Sequence, residues 1–277
     1  MKHEELLSKL TPEEKAALLS GKTVWQTRDI PRLKIPSIFL SDGPHGIRKQ
    51  AGAGDHLGLN ASLKATCFPT AAAMANSWDE ELEQRVGVAL GEESMEEDVN
   101  VLLGPGLNIK RNPLCGRNFE YFSEDPYLSG KMAAAFIRGV QSTGAAACAK
   151  HFAVHSGPEA KRHFFNAEAS KKDMEETYLP AFEACVKEGK VEAVMGAYNR
   201  TNGEPCCASE ELMNHYLRGK WKFQGHYVSD CWAIRDFHEN HKVTDSDSLL
   251  YLPYFIFFIK IISAQTPPSP PVHCDCL

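Results

Sequence analysis

Two aspartates and a small set of cations follow short apolar runs in this 277-residue chain. Tyr227-Val228-Ser229 leads into Asp230-Cys231-Trp232, and Ile35 to Leu40 leads into Ser41-Asp42. Ala145 to Ala149 leads into Lys150-His151-Phe152, and Val191 to Ala197 leads into Tyr198-Asn199. Arg117 sits in a polar loop, Lys110 to Glu120; Arg162 sits in another, which reaches Asn166 and also holds His155, Glu159, Lys161 and His163. A carboxylate kept ionised by cations is a nucleophile at neutral pH. On its own Asp230 reads more readily as a cap for a helix beginning at Ala233-Ile234-Arg235. The other segments argue for a shared site.

Such a set suits a sugar, which offers many hydroxyls and one apolar ring face. Asp42 can grip two neighbouring hydroxyls. Arg117, Lys150 and His151 can donate to ring hydroxyls, and an aromatic such as Tyr198 or Trp232 can stack. Asp230 is then the candidate nucleophile. Retaining glycoside hydrolysis also needs a second carboxyl about 5–5.5 Å away as acid/base. Glu120, Glu159 and Glu204 lie on suitable loops, but none carries a supporting pattern.

The elements that must hold these residues alternate. Residues 4 to 20 read as a first helix, with Thr11-Pro12-Glu13-Glu14 a helix start: Thr as cap, Pro at the first position, acids in the first turn. Ile35 to Leu40 reads as a strand ending in the tight loop Ser41-Asp42-Gly43-Pro44-His45-Gly46. Ser77 is placed as the cap of a helix to about Asp98, and a strand Val99 to Leu103 ends at Gly104-Pro105-Gly106. A helix covers about Tyr127 to Ser142, with Gly144 ending it. Ser170-x-x-Asp173 is a capping box opening a helix that closes near Gly189. Ser209 caps a helix to about Lys220 before the strand Gly225 to Ser229. Strands alternating with helices predict a parallel sheet, and the polar residues at five strand ends predict one pocket on one face.

Composition narrows the classes. The formal charge of −6 and the lack of a basic block argue against nucleic acid. The start, Met1-Lys2-His3-Glu4-Glu5, has no apolar core, so no secretory signal is expected. Nine scattered cysteines without a framework suit a reducing cytoplasm. Neither Cys206-Cys207 nor Cys274-x-Cys276 has the second half of a zinc site, so no metal and no cofactor are expected.

Ser41-Asp42-Gly43-Pro44-His45-Gly46, Cys115-Gly116-Arg117-Asn118-Phe119-Glu120, Lys150-His151-Phe152, Ala197-Tyr198-Asn199 and Val228-Ser229-Asp230 together resemble the family 3 glycoside hydrolases in order and spacing. The likeness covers about residues 5 to 245. It implies a (β/α)8 TIM-like barrel, hydrolysis of terminal β-D-glucosyl residues with retention, and a β-linked oligosaccharide or glucoside as substrate. It implies Asp230 as nucleophile, with Asp42, Arg117, Lys150, His151, Arg162 and Tyr198 on the sugar. Trp232 resembles the family's tryptophan loosely, since many members have it directly after the aspartate, where this chain has Cys231. The first half is similar to the β-glucosidase branch. From Lys150 onward, Gly157-Pro158-Glu159, Arg162-His163 and Ser229-Asp230-Cys231 are similar to the β-xylosidase branch.

Two further expectations follow. In most such β-glucosidases the acid/base glutamate comes from a second domain, which this sequence does not contain. Beyond about Asp245 the likeness stops: Leu249 to Ile262 is apolar, interrupted by Pro253 and Lys260, and a Pro-rich stretch follows. The domain reading is therefore a barrel over 1–245, incomplete at its C-terminal end, and an atypical tail over 246–277. That apolar run is shorter than the roughly 20 residues a bilayer needs, so membrane insertion is not expected. Self-association into a homo-oligomer is left open. The alternatives are an inactive fragment, a β-xylosidase, a single-domain β-N-acetylhexosaminidase using His155 or His163 as acid/base, and a metal-dependent barrel using His151, His155 and His163.

Overall fold

In the computed structural model, residues 4–52, 54 and 60–244 are described. The tail expected over 246–277 lies outside them. The strands are β1 (Leu40–Asp42), β2 (Val101–Leu103), β3 (Ala146–Phe152), β4 (Asn166–Ala167), β5 (Ala193–Gly196), β6 (Arg200–Thr201), β7 (Glu204–Pro205) and β8 (His226–Ser229). Five form one sheet in the order β1-β2-β3-β5-β8, every neighbouring pair parallel. Each strand joins on the same side of the one before it. That order keeps all crossover helices on one face, as in a barrel, whereas a doubly wound sheet reverses direction. The chain thus forms five staves of an incomplete α/β barrel among its described residues.

Strand periodicity explains the two faces. Leu102, Ala147, Ala149 and Val194 point to the helices, joining Leu90, Phe136, Ile137, Phe182 and Leu217 in the main core. Their neighbours Val101, Leu103, Cys148, Ala193 and Met195 point to the inner face, where Trp25 and Ile38 meet them. The helices Glu80–Glu96 and Pro126–Ser142 pack unusually close. A Cβ on Gly139 would stand 2.2 Å from the Gln84 carbonyl oxygen, so only glycine permits this approach.

Several boundaries differ from those expected. The first helix is two, Glu4–Lys9 and Pro12–Leu18, because Thr11 and Glu14 form a capping box that starts a new helix. Asp79, not Ser77, caps the helix Glu80–Glu96 through the Leu82 amide, while Ser77 Oγ accepts from the Asp79 amide. β1 starts at Leu40, because Phe39 is engaged in an antiparallel bridge with Gln26. The Ser170 capping box forms, but its helix is interrupted by a wide turn over Met174–Tyr178 and restarts at Pro180. A small second sheet, β4-β6-β7, was not anticipated; its strands are two residues each.

Candidate active site

Parallel pairing brings the C-terminal ends of β1, β3, β5 and β8 to one edge, where a cavity of about 330 Å³ opens. Asp42, Arg117, Lys150, His151, Arg162, Tyr198 and Asp230 all line it. Seven of the eight expected site residues therefore converge. Trp232 does not line it: it is 56% exposed and, with Asp230 and Trp25, borders an adjacent apolar hollow of about 500 Å³. Its backbone is left-handed (φ 65°), which turns the indole away from the path an extended strand would give it.

Asp42 ends β1 between two cations. Lys150 Nζ lies 2.8 Å from Oδ1 and Arg48 Nη2 lies 3.0 Å from Oδ2. Burial works against the Asp42 charge, but Lys150, then Arg48 and Arg117, outweigh it and bring the carboxyl down to about 2. Lys150 is buried and also lies 3.7 Å from Glu120 Oε2. Glu120 in turn accepts from Arg117 Nε. Burial raises the Glu120 carboxyl, yet Lys150 and Arg117 hold it below its ordinary value, so it stays an anion. A buried carboxylate fixed in two ion pairs cannot serve as a proton donor.

Arg117 organises the floor. Its Nη2 lies 2.7 Å from His151 Nε2. A guanidinium only donates, so Nε2 accepts and the His151 proton sits on Nδ1, which donates to the Tyr121 hydroxyl at 3.0 Å. Burial, with Arg117 and Lys150 nearby, holds His151 neutral by pushing its pKa well below the ordinary value. The ring was expected to donate to a sugar; in this arrangement both nitrogens are already committed, and Nε2 is an acceptor.

Asp230 follows β8 and is buried. Its Oδ1 accepts from the Cys231 amide at 2.8 Å. Its Oδ2 makes no hydrogen bond and lies 3.6 Å from Arg117 Nη1 and 3.5 Å from His151 Nε2. It caps no helix, since the next one is Asp236–Glu239. The cations were expected to hold it fully ionised. Burial instead raises its pKa, with Arg117 and Lys150 opposing. The result is a carboxylate oxygen with an uncommitted lone pair at the end of a polar cavity.

The three glutamates separate. Glu120 and Glu159 line the cavity, whereas Glu204 accepts from Ser209 Oγ in β7. The histidines do not gather around a metal. His155 Nδ1 is paired with Asn199 and His163 Nδ1 with Asp236, leaving no open triad with His151. Among the described residues no three His, Cys, Asp or Glu side chains are grouped as a metal would require.

Sequence reasoning missed Trp25, Arg48 and Tyr121. Trp25 lines both the cavity and the hollow, and its Nε1 donates to Gln50 Oε1 at 2.7 Å. It comes from a segment before β1, and nothing in its local pattern pointed to the site. Arg48 had a signal: it lies in the same glycine-rich loop as Asp42.

The family model for the glycosyl hydrolase family 3 N terminal domain matches residues 15–248. The chain is 50% identical over 232 residues to thermostable beta-glucosidase B of Acetivibrio thermocellus, covering 84% of this chain and 31% of that protein. It is 45% identical over 228 residues to an exo-alpha-(1->6)-L-arabinopyranosidase of Bifidobacterium longum, covering 82% and 30%. Among solved structures, beta-glucosidase 3B from Thermotoga neapolitana in complex with glucose aligns with a TM-score of 0.78 at 39% identity, covering 85% of this chain and 36% of that one. The chain thus spans about a third of the length of the relatives it matches.

Proposed function

The chain belongs to glycosyl hydrolase family 3, and from that premise we propose that it carries the nucleophile and sugar pocket for retaining hydrolysis of terminal β-D-glucosyl residues. One observation carries the reading. Asp230 Oδ2 has no hydrogen-bond partner and stands within 3.6 Å of Arg117 Nη1, on a cavity also lined by Asp42 and Lys150.

Asp230 Oδ2 attacks the anomeric carbon from the face opposite the aglycone. The bond from that carbon to the aglycone oxygen breaks and a glycosyl ester forms; water then cleaves the ester with retention. Arg117 compensates charge at Asp230, while Asp42 accepts from sugar hydroxyls and Lys150 holds Asp42 ionised. Glu120 is excluded as proton donor by its ion pairs. Glu159, the other glutamate on the cavity, is ion-paired to Arg162, so the reading takes the general acid from outside the described residues, as the family resemblance implies. Lack of an acid typically costs 10²–10⁴-fold, roughly, with substrates whose leaving group needs protonation.

Mechanism-based trapping tests this directly. A 2-deoxy-2-fluoro-β-D-glucosyl fluoride should esterify Asp230, located by mass spectrometry of the digested chain. Label on another residue, or no label on a folded chain, would sink the proposal; an aryl β-xyloside in parallel separates the wrong sugar from the wrong nucleophile.

The same proposal puts the chain in the cytoplasm, supported by the seven cysteines among the described residues, all free and most of them buried. Self-association is proposed on large apolar side chains left exposed, such as Trp78, Leu114 and Tyr127; sedimentation at rising concentration tests it.

A further inference from the structure

We infer that Asp236 positions Arg162 for the sugar pocket through His163, a three-residue relay that rests on the functional reading above. Arg162 lines the cavity, and its guanidinium lies 4.9 Å over the Tyr198 ring. Its Nη1 donates to Glu159 Oε1 at 2.6 Å, and its Nε donates to His163 Nε2 at 3.4 Å. A guanidinium has no acceptor, so His163 Nε2 must carry the lone pair and Nδ1 the proton. Nδ1 does face an acceptor: Asp236 Oδ2, 2.8 Å away. The other Asp236 oxygen accepts from the Asn240 side-chain amide. Every hydrogen bond in the series thus has one direction, and Asp236 fixes the tautomer that lets His163 accept from Arg162.

The placement gives the relay a purpose. Asp236 opens the helix Asp236–Glu239, six residues after Asp230. A turn held by Ala233 N to Asp230 O and Arg235 N to Trp232 O joins the two. His163 and Arg162 belong to the loop after β3, and both lie on the Tyr198 ring, His163 at 4.4 Å. The segment carrying the nucleophile therefore orients a cation on the opposite loop. The contacts to Glu159 and His163 use Nη1 and Nε and leave Nη2 for a sugar hydroxyl. His163 and Asp236 touch no sugar in this account; they are positioning residues.

A double-mutant cycle on the full chain tests the relay, read as the dissociation constant for D-glucose by titration calorimetry. His163→Asn keeps a donor near Nδ1 for Asp236 and removes the acceptor for Arg162. It should bind glucose about tenfold more weakly, at an unchanged melting temperature. In an Arg162→Ala background the same substitution should add less than about twofold, because its effect runs through Arg162. Asp236→Asn serves as the second arm should His163→Asn fail to fold, with the same pattern expected. His163→Gln, which restores an acceptor near Nε2, should recover part of the loss. Parent-like affinity in the folded His163 and Asp236 variants would overturn the relay alone, as would an undiminished loss in the Arg162→Ala background. A parent chain that binds no glucose would overturn the functional reading and the relay with it.

Discussion

Lys150 Nζ lies 2.8 Å from Asp42 Oδ1, although 108 residues separate the two in sequence. The contact ties the end of β3 to the end of β1 across β2. Lys150 is also the buried cation shared with Glu120. Lys150→Met removes one charge and leaves two carboxylates with less compensation. Breaking a fully buried pair this way costs about 3–5 kcal/mol; with the Asp42 side chain 32% exposed, the loss here should lie near the low end of that range. Urea unfolding should show a loss of that order, and a change under about 1 kcal/mol would contradict the pairing.

The same pair sets an acid limit. The Asp42 carboxyl is brought down to about 2 in the fold, from an ordinary 3.8. The folded chain thus releases this proton more readily than the unfolded chain. Its stabilising share is complete above about pH 4 and is lost as pH falls through about 2. Asp42→Asn should flatten that limb of the stability curve, measured by thermal melting from pH 5 to 2. A limb as steep as the parent's would assign the effect elsewhere.

Glu83 predicts the opposite slope. It is buried on the helix Glu80–Glu96, its Oε2 has no partner, and burial pushes its carboxyl up to about 8. The fold therefore holds a proton that the unfolded chain lacks between about pH 4.5 and 8. Stability should fall as pH rises through that window, by at most about 1.4 kcal/mol per unit. Glu83→Gln stays neutral, so it should remove the slope and melt higher than the parent at pH 8. An unchanged slope would mean that Glu83 is ionised in the fold.

Trp25 and Trp232 should differ sharply. Trp25 is held by Gln50 on the cavity wall, whereas Trp232 lies on the neighbouring hollow. Trp25→Ala should weaken glucose binding about tenfold, while Trp232→Ala should change it less than about threefold. The reverse order, read by calorimetric titration, would restore Trp232 to the pocket.

Much of the candidate site was legible because a parallel strand ends where its apolar run ends. Asp42, Lys150, His151, Tyr198 and Asp230 each follow such a run, so one topological rule gathers them. The Thr11 and Ser170 capping boxes were legible because both partners lie within one helical turn. Trp25 was not, because it reaches the inner face through the long-range Gln26–Phe39 bridge. That bridge also moved the start of β1. The position of Trp232 beside the cavity was not legible, because residue spacing does not report a left-handed backbone. The two-residue strands β4, β6 and β7 are too short to carry a period. The Asp236–His163–Arg162 series joins two loops whose sequences show no mutual pattern.

Asp42 should also act in the transition state. Asp42→Ala should raise KM and lower kcat together, because a hydroxyl grip that tightens during the reaction serves both. An unchanged kcat/KM would remove Asp42 from the sugar.

The most direct measurement is a single-turnover burst with 2,4-dinitrophenyl β-D-glucoside, beside Asp230→Asn. That leaving group departs without protonation, so the nucleophile and pocket are tested apart from any general acid. The account predicts a burst stoichiometric with the chain and absent from a folded Asp230→Asn. A burst that survives in the variant would contradict Asp230 as nucleophile, and no burst from the folded parent would contradict the glucoside reading.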